Sequence, residues 1–590
     1  MPTQDLTIAI VGSGGDGVIT AGELVAQAAA RRGLHVMKTE AYGPQIRGGE
    51  SSCTVRLGVE PLLAPSDTVD VLVVFGWADY QRFRSEIVPA RDAIVIYESA
   101  SPAAPAAEAD QLFLPLPLEQ LARNAAGSTA SKNVVTLGIL CEMFGLPTES
   151  IEAALRHKFG RKKAAVLENV VKAFEAGCRT GRELMATDER IAAKRLAFSD
   201  AEPLLMMSGN EAAAVAAVHA GCRFFAGYPI TPSSEVLHFL GEWMPKVGGV
   251  VLQTEDELAA IGAVVGASFA GVKALTSTSG PGLSLMSEMI TLSAMAEVPT
   301  VIINVQRGGP STGIPTKSEQ SDLMHALYGG HGDTPRVVIA PVDVADCFHA
   351  TVDAFNIAEQ LQMPVIVLSD QAIGQRKETL PIGAFEHKVI DRRTPTADEL
   401  ADYARYRDTK SGISPMATPG IPGGTYQTNG LEHDESGRPN SMHVVHEKMN
   451  AKRYRKLAEL DSFADAVRRH GPKNAKIGII CWGSSQGSVV DALGRLAAKG
   501  IAASAFVPRL LSPFPAAAAR EFIASVEQIL VVEISFSGQF HAYLRSCIDL
   551  PAGRTHLLSR SGAKNLTAIE VEQEVTRILS PSRDSKEVYA

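Results

Sequence analysis

Four polar clusters between residues 225 and 323 carry side chains able to do chemistry: GYPITPSSE at 227–235, QTEDELAAIGAVVGASFAG at 253–271, TSTSGPGLSLMSE at 276–288 and NVQRGGPSTGIPT at 304–316. Each sits where an apolar run of strand length gives way to a helix or a Gly/Pro loop, the junction at which α/β sheets hold ligands. Four such junctions in one sheet predict a shared crevice. Thr231 lies between Pro229 and Pro232, which fix its backbone and present its hydroxyl in a rigid loop. Arg307 follows the strand-like VIINVQ beside Gly308 and Gly309, placed for a forked contact with a carboxylate or, as isolated arginines usually are, for solvent.

Glu257 has two readings. Thr254 and Glu257 have capping-box spacing ahead of a helix rich in Ala and Gly, and the acids Glu255, Asp256 and Glu257 complement a helix dipole. Alternatively, Glu257 points into an apolar cleft and shares a proton with a heterocyclic nitrogen. Gly280, Pro281 and Gly282 put a turn between strand and helix, with Pro281 suited to the first helical turn. That turn either admits a flat ring against bare backbone or is simply tight.

The N-terminal region offers a separate pattern. An apolar strand at 6–11 leads into GSGGDG and a helix-patterned run at 18–31, so Gly12, Gly14 and Gly17 satisfy GxGxxG, with Glu40 where a ribose-binding acid is expected. Taken alone this predicts a dinucleotide site, although such a loop can serve another phosphate-bearing ligand or close packing. Gly15-Asp16-Gly17 also resembles the start of a Mg²⁺-diphosphate motif, but the asparagines that follow it, Asn124 and then Asn133, lie too far along the chain to complete it. Arg47, in YGPQIRGGESS, marks either a hairpin entrance or an anion contact.

These residues must be positioned by more than one domain, since 590 residues exceed what one core supports. The expected fold class is α/β with three α/β domains: residues 1–190 with the Gly-rich loop, 203–375 as a mostly parallel doubly wound sheet, and 473–580 as a smaller sheet. Strands at about 204–207, 223–226, 250–253, 273–277, 299–305, 336–340 and 364–368 belong to the central sheet, and the Pro/Gly-rich 376–472 reads as an extended connector without a core of its own. Trp482, Ser484 and Ser485 read as turn chemistry at the opening of the third domain.

A composition of 45% hydrophobic and 21% charged residues is ordinary for globular protein, and a formal charge of −9 argues against nucleic acid as a partner. The chain opens directly on a strand and has no membrane-length apolar run, so the expected location is cytoplasmic. Its seven cysteines are scattered and predict neither structural zinc nor an iron–sulfur cluster in this chain; no metal site is expected.

YPITPSSE, EDELAAIGAVVGASFAG, TSTSGPGLSLMSE and QRGGPSTGIPT together resemble the α subunit of 2-oxoacid:ferredoxin oxidoreductases, most closely the 2-oxoglutarate type, and GSGGDG with YGPQIRGGESS resembles that family's γ domain fused ahead of it. The resemblance covers nearly the whole chain. It implies a pyrimidine-binding domain for thiamine diphosphate at 203–375 and a transketolase-C-terminal-like domain at 473–580. It makes Glu257, nine residues before Gly266, the glutamate that meets N1′ of the aminopyrimidine, with Glu255 in reserve and Gly280, Pro281 and Gly282 beside the cofactor. In the family the 4′ nitrogen then removes the C2 proton, the oxoacid is decarboxylated, electrons leave singly to an iron–sulfur centre, and coenzyme A takes the acyl group. Thr231 and Arg307 match contacts to the oxoacid carboxylate, with Tyr228, Pro229 and Ile230 alongside.

The resemblance further implies a β subunit carrying the Mg²⁺ motif and a [4Fe-4S] cluster, an (αβ)₂ heterotetramer, and ferredoxin as electron acceptor. Gly12, Gly14, Gly15, Gly17 and Arg47 become possible coenzyme A contacts. The expected reaction is oxidative decarboxylation of 2-oxoglutarate to succinyl-CoA, with reductive carboxylation as its reverse. Pyruvate or branched-chain oxoacids are alternative substrates, and a Rossmann-type electron-transfer subunit is the alternative function.

Overall fold

The computed structural model describes residues 3–43, 49–102, 105, 110–160 and 162–580. Arg47 lies outside the described residues. The chain forms two compact units, one of residues 1–208 with 375–384 and one of 209–374 with 385–590.

The first unit is built on an eight-stranded sheet in the order Leu112–Leu116, Pro89–Glu98, Val69–Val74, Asp5–Ser13, Glu50–Gly58, His35–Tyr42, Lys377–Leu380, Leu205–Ser208. Asp5–Ser13 runs parallel to Val69–Val74 but antiparallel to Glu50–Gly58, which in turn pairs antiparallel with His35–Tyr42. This topology corrects the dinucleotide reading. A Rossmann site needs the first two strands adjacent and parallel, whereas here Glu50–Gly58 is inserted between them. The acid expected at a ribose is also engaged: Glu40 pairs with buried Lys38 and accepts from the Tyr42 hydroxyl.

In the Gly-rich loop, Gly15 and Gly17 take positive φ (106° and 76°) and Asp16 accepts the Ser13 N–H at 2.9 Å. Asn133 does reach this loop through space, donating to the Gly17 carbonyl at 3.3 Å. Lys132 comes with it, however, and its ammonium pairs with Asp16 at 2.9 Å. A cationic side chain therefore stands beside the acid that a Mg²⁺ motif would use.

The strand expected to open the central sheet at 204–207 belongs elsewhere. Leu205–Ser208 pairs antiparallel with Lys377–Leu380, and that strand pairs with His35–Tyr42. Four apolar residues after a linker read alike in either sheet. The choice is made by non-local contacts such as the Thr379 hydroxyl accepting the Val36 N–H at 2.8 Å.

The second unit contains a seven-stranded sheet in the order Leu510–Ser512, Val337–Ile339, Pro364–Asp370, Thr300–Gln306, Ala274–Thr278, Phe224–Gly227, Val250–Gln253, parallel except for the first strand. Its central strands Ala274–Thr278, Thr300–Gln306 and Pro364–Asp370 are buried along their whole length, as a parallel sheet covered on both faces requires. A five-stranded sheet, Val467–His470, Ala503–Pro508, Ile477–Ile480, Gln528–Glu533, Thr555–Ser559, completes this unit.

Gln320 ties the two sheets together. Its amide donates to the Trp482 carbonyl at 2.9 Å and accepts the Ile534 N–H at 3.1 Å. Ser484, read above as turn chemistry, donates to Asp370 at 2.5 Å. Both contacts join loops at the ends of the two sheets.

Between its end strands Lys377–Leu380 and Val467–His470 the connector has little regular structure beyond Ala397–Leu400, His443–Arg455 and the 3₁₀ helix Lys456–Ser462, yet it is anchored by a buried charge cluster. Glu297, just before strand Thr300–Gln306, pairs with Lys452 at 2.7 Å and Lys456 at 2.5 Å, and its carbonyl accepts from Arg405 at 2.6 Å. All four side chains are almost fully buried. Burial and the excess of cations push the Lys456 ammonium down to about 7, while the lysines hold the Glu297 carboxyl far below its usual range despite its burial.

Since the folded value for Lys456 lies below its ordinary value of 10.5, the unfolded chain retains a proton between about 7 and 10.5 that the folded chain has released. The stability contributed by this group therefore rises with pH across that window and is lost as pH falls through about 7. Lys456→Met should flatten that slope, measured as the denaturant midpoint against pH.

Candidate active site

The helix Glu257–Phe269 is capped by Asp256, whose carboxylate accepts the Ala259 N–H at 2.8 Å. The Thr254–Glu257 capping box is therefore not formed. Thr254 instead donates its hydroxyl to the Asp256 carbonyl at 2.8 Å. Asp is a strong N-cap, and its choice shifts the helix start by two residues and makes Glu257 the first helical residue. Glu257 is thereby released from capping and turns inward, 5% exposed, while Glu255 stays exposed.

The turn opposite Glu257 has no side chains in its way. Ser279 stands at the N-cap position of the short helix Gly280–Leu285 without a side-chain cap hydrogen bond, and the helix carries Pro281 in its first turn. A Cβ on Gly282 would lie 2.4 Å from Glu257 Oε1 and 2.0 Å from Thr278 Oγ1, so this position accepts no larger residue. A Cβ on Gly280 would lie 3.0 Å from both carboxylate oxygens of Asp322. The GPG turn is thus held between two carboxyl groups, Glu257 at one end and Asp322 at the other.

Burial pushes the Glu257 carboxyl above its usual range, opposed by its own backbone N–H, the Thr278 hydroxyl and the charge of Arg307. Asp322 is also raised by burial, against the Asn304 amide that donates to it at 2.9 Å. Asp322 carries no separate sign in the sequence. Asp before an apolar helical run reads as an N-cap, and it does precede Leu323–Tyr328, but its side chain makes no cap hydrogen bond and faces Gly280 instead.

Arg307 is buried, donates from Nη1 to the Thr231 carbonyl at 2.6 Å, and leaves Nε without a partner among the described residues. The structure thus brings Thr231 and Arg307 together through the Thr231 backbone, with Tyr228, Pro229 and Thr231 themselves exposed and Ile230 half-buried. A cavity of about 690 Å³ is lined by Gly280, Pro281, Arg307, Asp322, His325 and Phe536, among others. Its size falls within the range of small-molecule sites, roughly 300–1,000 Å³. It joins the C-terminal ends of the seven-stranded sheet to loops of the five-stranded one.

Comparison with known proteins bears on this geometry. Residues 215–452 match the family described as pyruvate flavodoxin/ferredoxin oxidoreductase, thiamine diphosphate-binding; residues 7–180 match pyruvate ferredoxin/flavodoxin oxidoreductase, and 475–570 match its core domain II. The α subunit of 2-oxoacid:ferredoxin oxidoreductase 2 from Aeropyrum pernix is 31% identical over 98% of both chains. The chain belongs to the 2-oxoacid:ferredoxin oxidoreductase family. A 2-oxoglutarate synthase subunit KorA from Archaeoglobus fulgidus is 41% identical over 56% of this chain and 88% of its own length. The structure of 2-oxoglutarate:ferredoxin oxidoreductase from Magnetococcus marinus, with 2-oxoglutarate, coenzyme A and succinyl-CoA bound, matches with a TM-score of 0.93 and 37% identity, covering 98% of this chain and 100% of that one.

The resemblance seen in the four clusters and the α/β fold class are accordingly established. The residues also fit a thiamine pyrimidine on physical grounds. Glu257 is a buried carboxyl with no ion-pair partner among the described residues, and it faces a glycine-lined turn that a flat ring can approach. Among the described residues no helix is long and apolar enough to cross a membrane.

Proposed function

We propose that this chain is the α subunit of a 2-oxoglutarate:ferredoxin oxidoreductase, converting 2-oxoglutarate and coenzyme A to succinyl-CoA and CO₂ while reducing ferredoxin, and capable of the reverse carboxylation. The observation that carries this reading is end-to-end similarity to the Magnetococcus marinus enzyme, which holds that substrate and that product. Thiamine diphosphate, when bound, supplies the carbanion chemistry at the oxo carbon.

The chain's own residues do the rest. Glu257, raised by burial, holds a proton at a ring nitrogen and so sets the tautomer of the pyrimidine. Gly280, Pro281 and Gly282 give the ring bare backbone. The free Nε of Arg307 and the exposed Thr231 hydroxyl hold the oxoacid carboxylate, with Tyr228, Pro229 and Ile230 forming the loop around it. Arg307→Lys keeps the charge but loses the fork, and should lower kcat/KM about 10–100-fold, mostly through KM, in steady-state assays.

Mg²⁺ and the [4Fe-4S] cluster are assigned to a β subunit. The chain's GDG has Lys132 at its acid, and its cysteines are scattered, with six of the seven buried. The docking face proposed for that subunit is edge strand Val250–Gln253, which exposes Val250 and Leu252, with Trp243, Leu258 and Leu285 exposed on helices of the same unit. The expected assembly is (αβ)₂. Gly12, Gly14, Gly15, Gly17 and Arg47 are proposed for coenzyme A, supported by the uncapped N-terminus of helix Val18–Ala30.

The test is co-purification with the β subunit followed by coenzyme A-dependent ferredoxin reduction with 2-oxoglutarate, pyruvate and a branched-chain oxoacid. Preference for 2-oxoglutarate supports the reading. Preference for another oxoacid overturns the substrate, and inactivity of the intact complex overturns the function.

A further inference from the structure

Arg336 stands apart from every other buried arginine among the described residues. Arg307, Arg376, Arg405, Arg453 and Arg509 each donate to a carbonyl or a carboxylate. Arg336 is 4% exposed, its guanidinium makes no hydrogen bond or ion pair among the described residues, and its Nε is orphaned. A buried, unpaired guanidinium is costly in a protein interior, and natural proteins retain one where something else supplies the counter-charge.

The surroundings place the guanidinium directly beneath an exposed loop. Arg336 directly precedes strand Val337–Ile339, so it sits at the N-terminal end of a sheet whose C-terminal ends carry the candidate active site, and it does not line that cavity. Its Nη2 lies 3.3 Å from where a Cβ on Gly330 would stand. Gly330 and Gly332 take positive φ (108° and 69°) in the exposed run Gly330-His331-Gly332-Asp333, a loop without side-chain bulk at the point where the guanidinium comes up beneath it. Exposed Tyr328 precedes this run in the chain, and exposed Tyr454, from the helix His443–Arg455, is within electrostatic reach of both Arg336 and Asp333.

We propose that Arg336, under the Gly330–Gly332 loop, is a binding site for a single carboxylate, separate from the oxoacid site. A carboxylate matches the planar fork of a guanidinium in bidentate geometry. A lone guanidinium balances one negative charge, which favours a singly charged group over a phosphate dianion. The carboxylate comes either from a free organic acid or from an acidic side chain or chain terminus of an associated subunit, and the two sources are separable.

The experiment uses the full chain carrying Arg307→Ala, which removes the other carboxylate contact, and its counterpart that also carries Arg336→Met. Melting temperature is followed against acetate, succinate and inorganic phosphate at constant ionic strength. A saturable rise with the carboxylates, weaker with phosphate and lost in the Arg336→Met chain, establishes a free acid as the ligand. If free acids have no effect, the second arm measures dissociation of the αβ complex with Arg307 intact. At least tenfold weaker association for Arg336→Met, partly restored by Arg336→Lys, assigns the carboxylate to the partner. Overturning the proposal requires an Arg336→Met chain unchanged both in its response to carboxylates and in its association, or phosphate stabilising more than carboxylates. Oxoacid turnover by the Arg336→Met complex is expected to match that of the unaltered complex, so failure here is distinguishable from failure of the functional reading.

Discussion

Glu257→Gln in the assembled complex should lower kcat about 10²–10⁴-fold, the usual contribution of a positioned acid or base. It should slow exchange of the thiamine C2 proton by a similar factor while leaving assembly intact. The substitution is nearly isosteric, and Asp256, not Glu257, caps the helix, so the fold loses no cap. What is lost is a carboxyl that burial has pushed toward protonation, facing a turn where only glycine fits at position 282. Hydrogen exchange at C2, read by NMR after acid quench, checks this directly. An unchanged exchange rate would leave Glu257 as no more than the first residue of its helix.

Glu297→Gln should destabilise the second unit by about 3–5 kcal/mol, as breaking a buried ion network by removing one partner does. The carboxylate is the shared partner of Lys452 and Lys456, and the same residue's carbonyl holds Arg405. Removing its charge leaves the cations facing one another in a site closed to water. The measurement is the denaturant midpoint of the full chain. Replacing Glu297 together with both lysines by apolar residues of similar volume should cost far less, because the desolvation penalty disappears with the charges. Equal losses for the two variants would show that packing, rather than charge, anchors the connector.

The connector also shows what the sequence could not display. Its Pro/Gly-rich texture reads as an extended connector, yet Arg405, Lys452 and Lys456 look like ordinary surface charges until Glu297, more than a hundred residues earlier, is placed among them. Strands Phe224–Gly227, Val250–Gln253, Ala274–Thr278 and Thr300–Gln306 were legible because buried parallel strands are continuous apolar runs with loops at their ends. Leu205–Ser208 has the same texture yet pairs in the other sheet, since pairing partners lie outside any local window.

At the candidate site, Glu257, Gly282, Thr231 and Arg307 stood out because each belongs to a long cluster at a strand end. Asp322, Gln320 and Arg336 are single polar residues whose meaning lies in what they do or do not touch. The choice between the two readings of Glu257 has a local cause: two acids in succession, Asp256 and Glu257, offer competing helix starts, and the better cap decides between them. The GxGxxG pattern failed differently. It specified a loop and a helix but not the antiparallel strand Glu50–Gly58 that separates the first two strands.

The most direct test of a half-site completed by a partner is calorimetric titration of thiamine diphosphate with Mg²⁺ into the isolated chain, the isolated β subunit and their complex. Saturable binding by the complex alone, at one cofactor per αβ pair, is the expected result. Tight binding by the isolated chain, or no binding by an intact complex, would contradict the account.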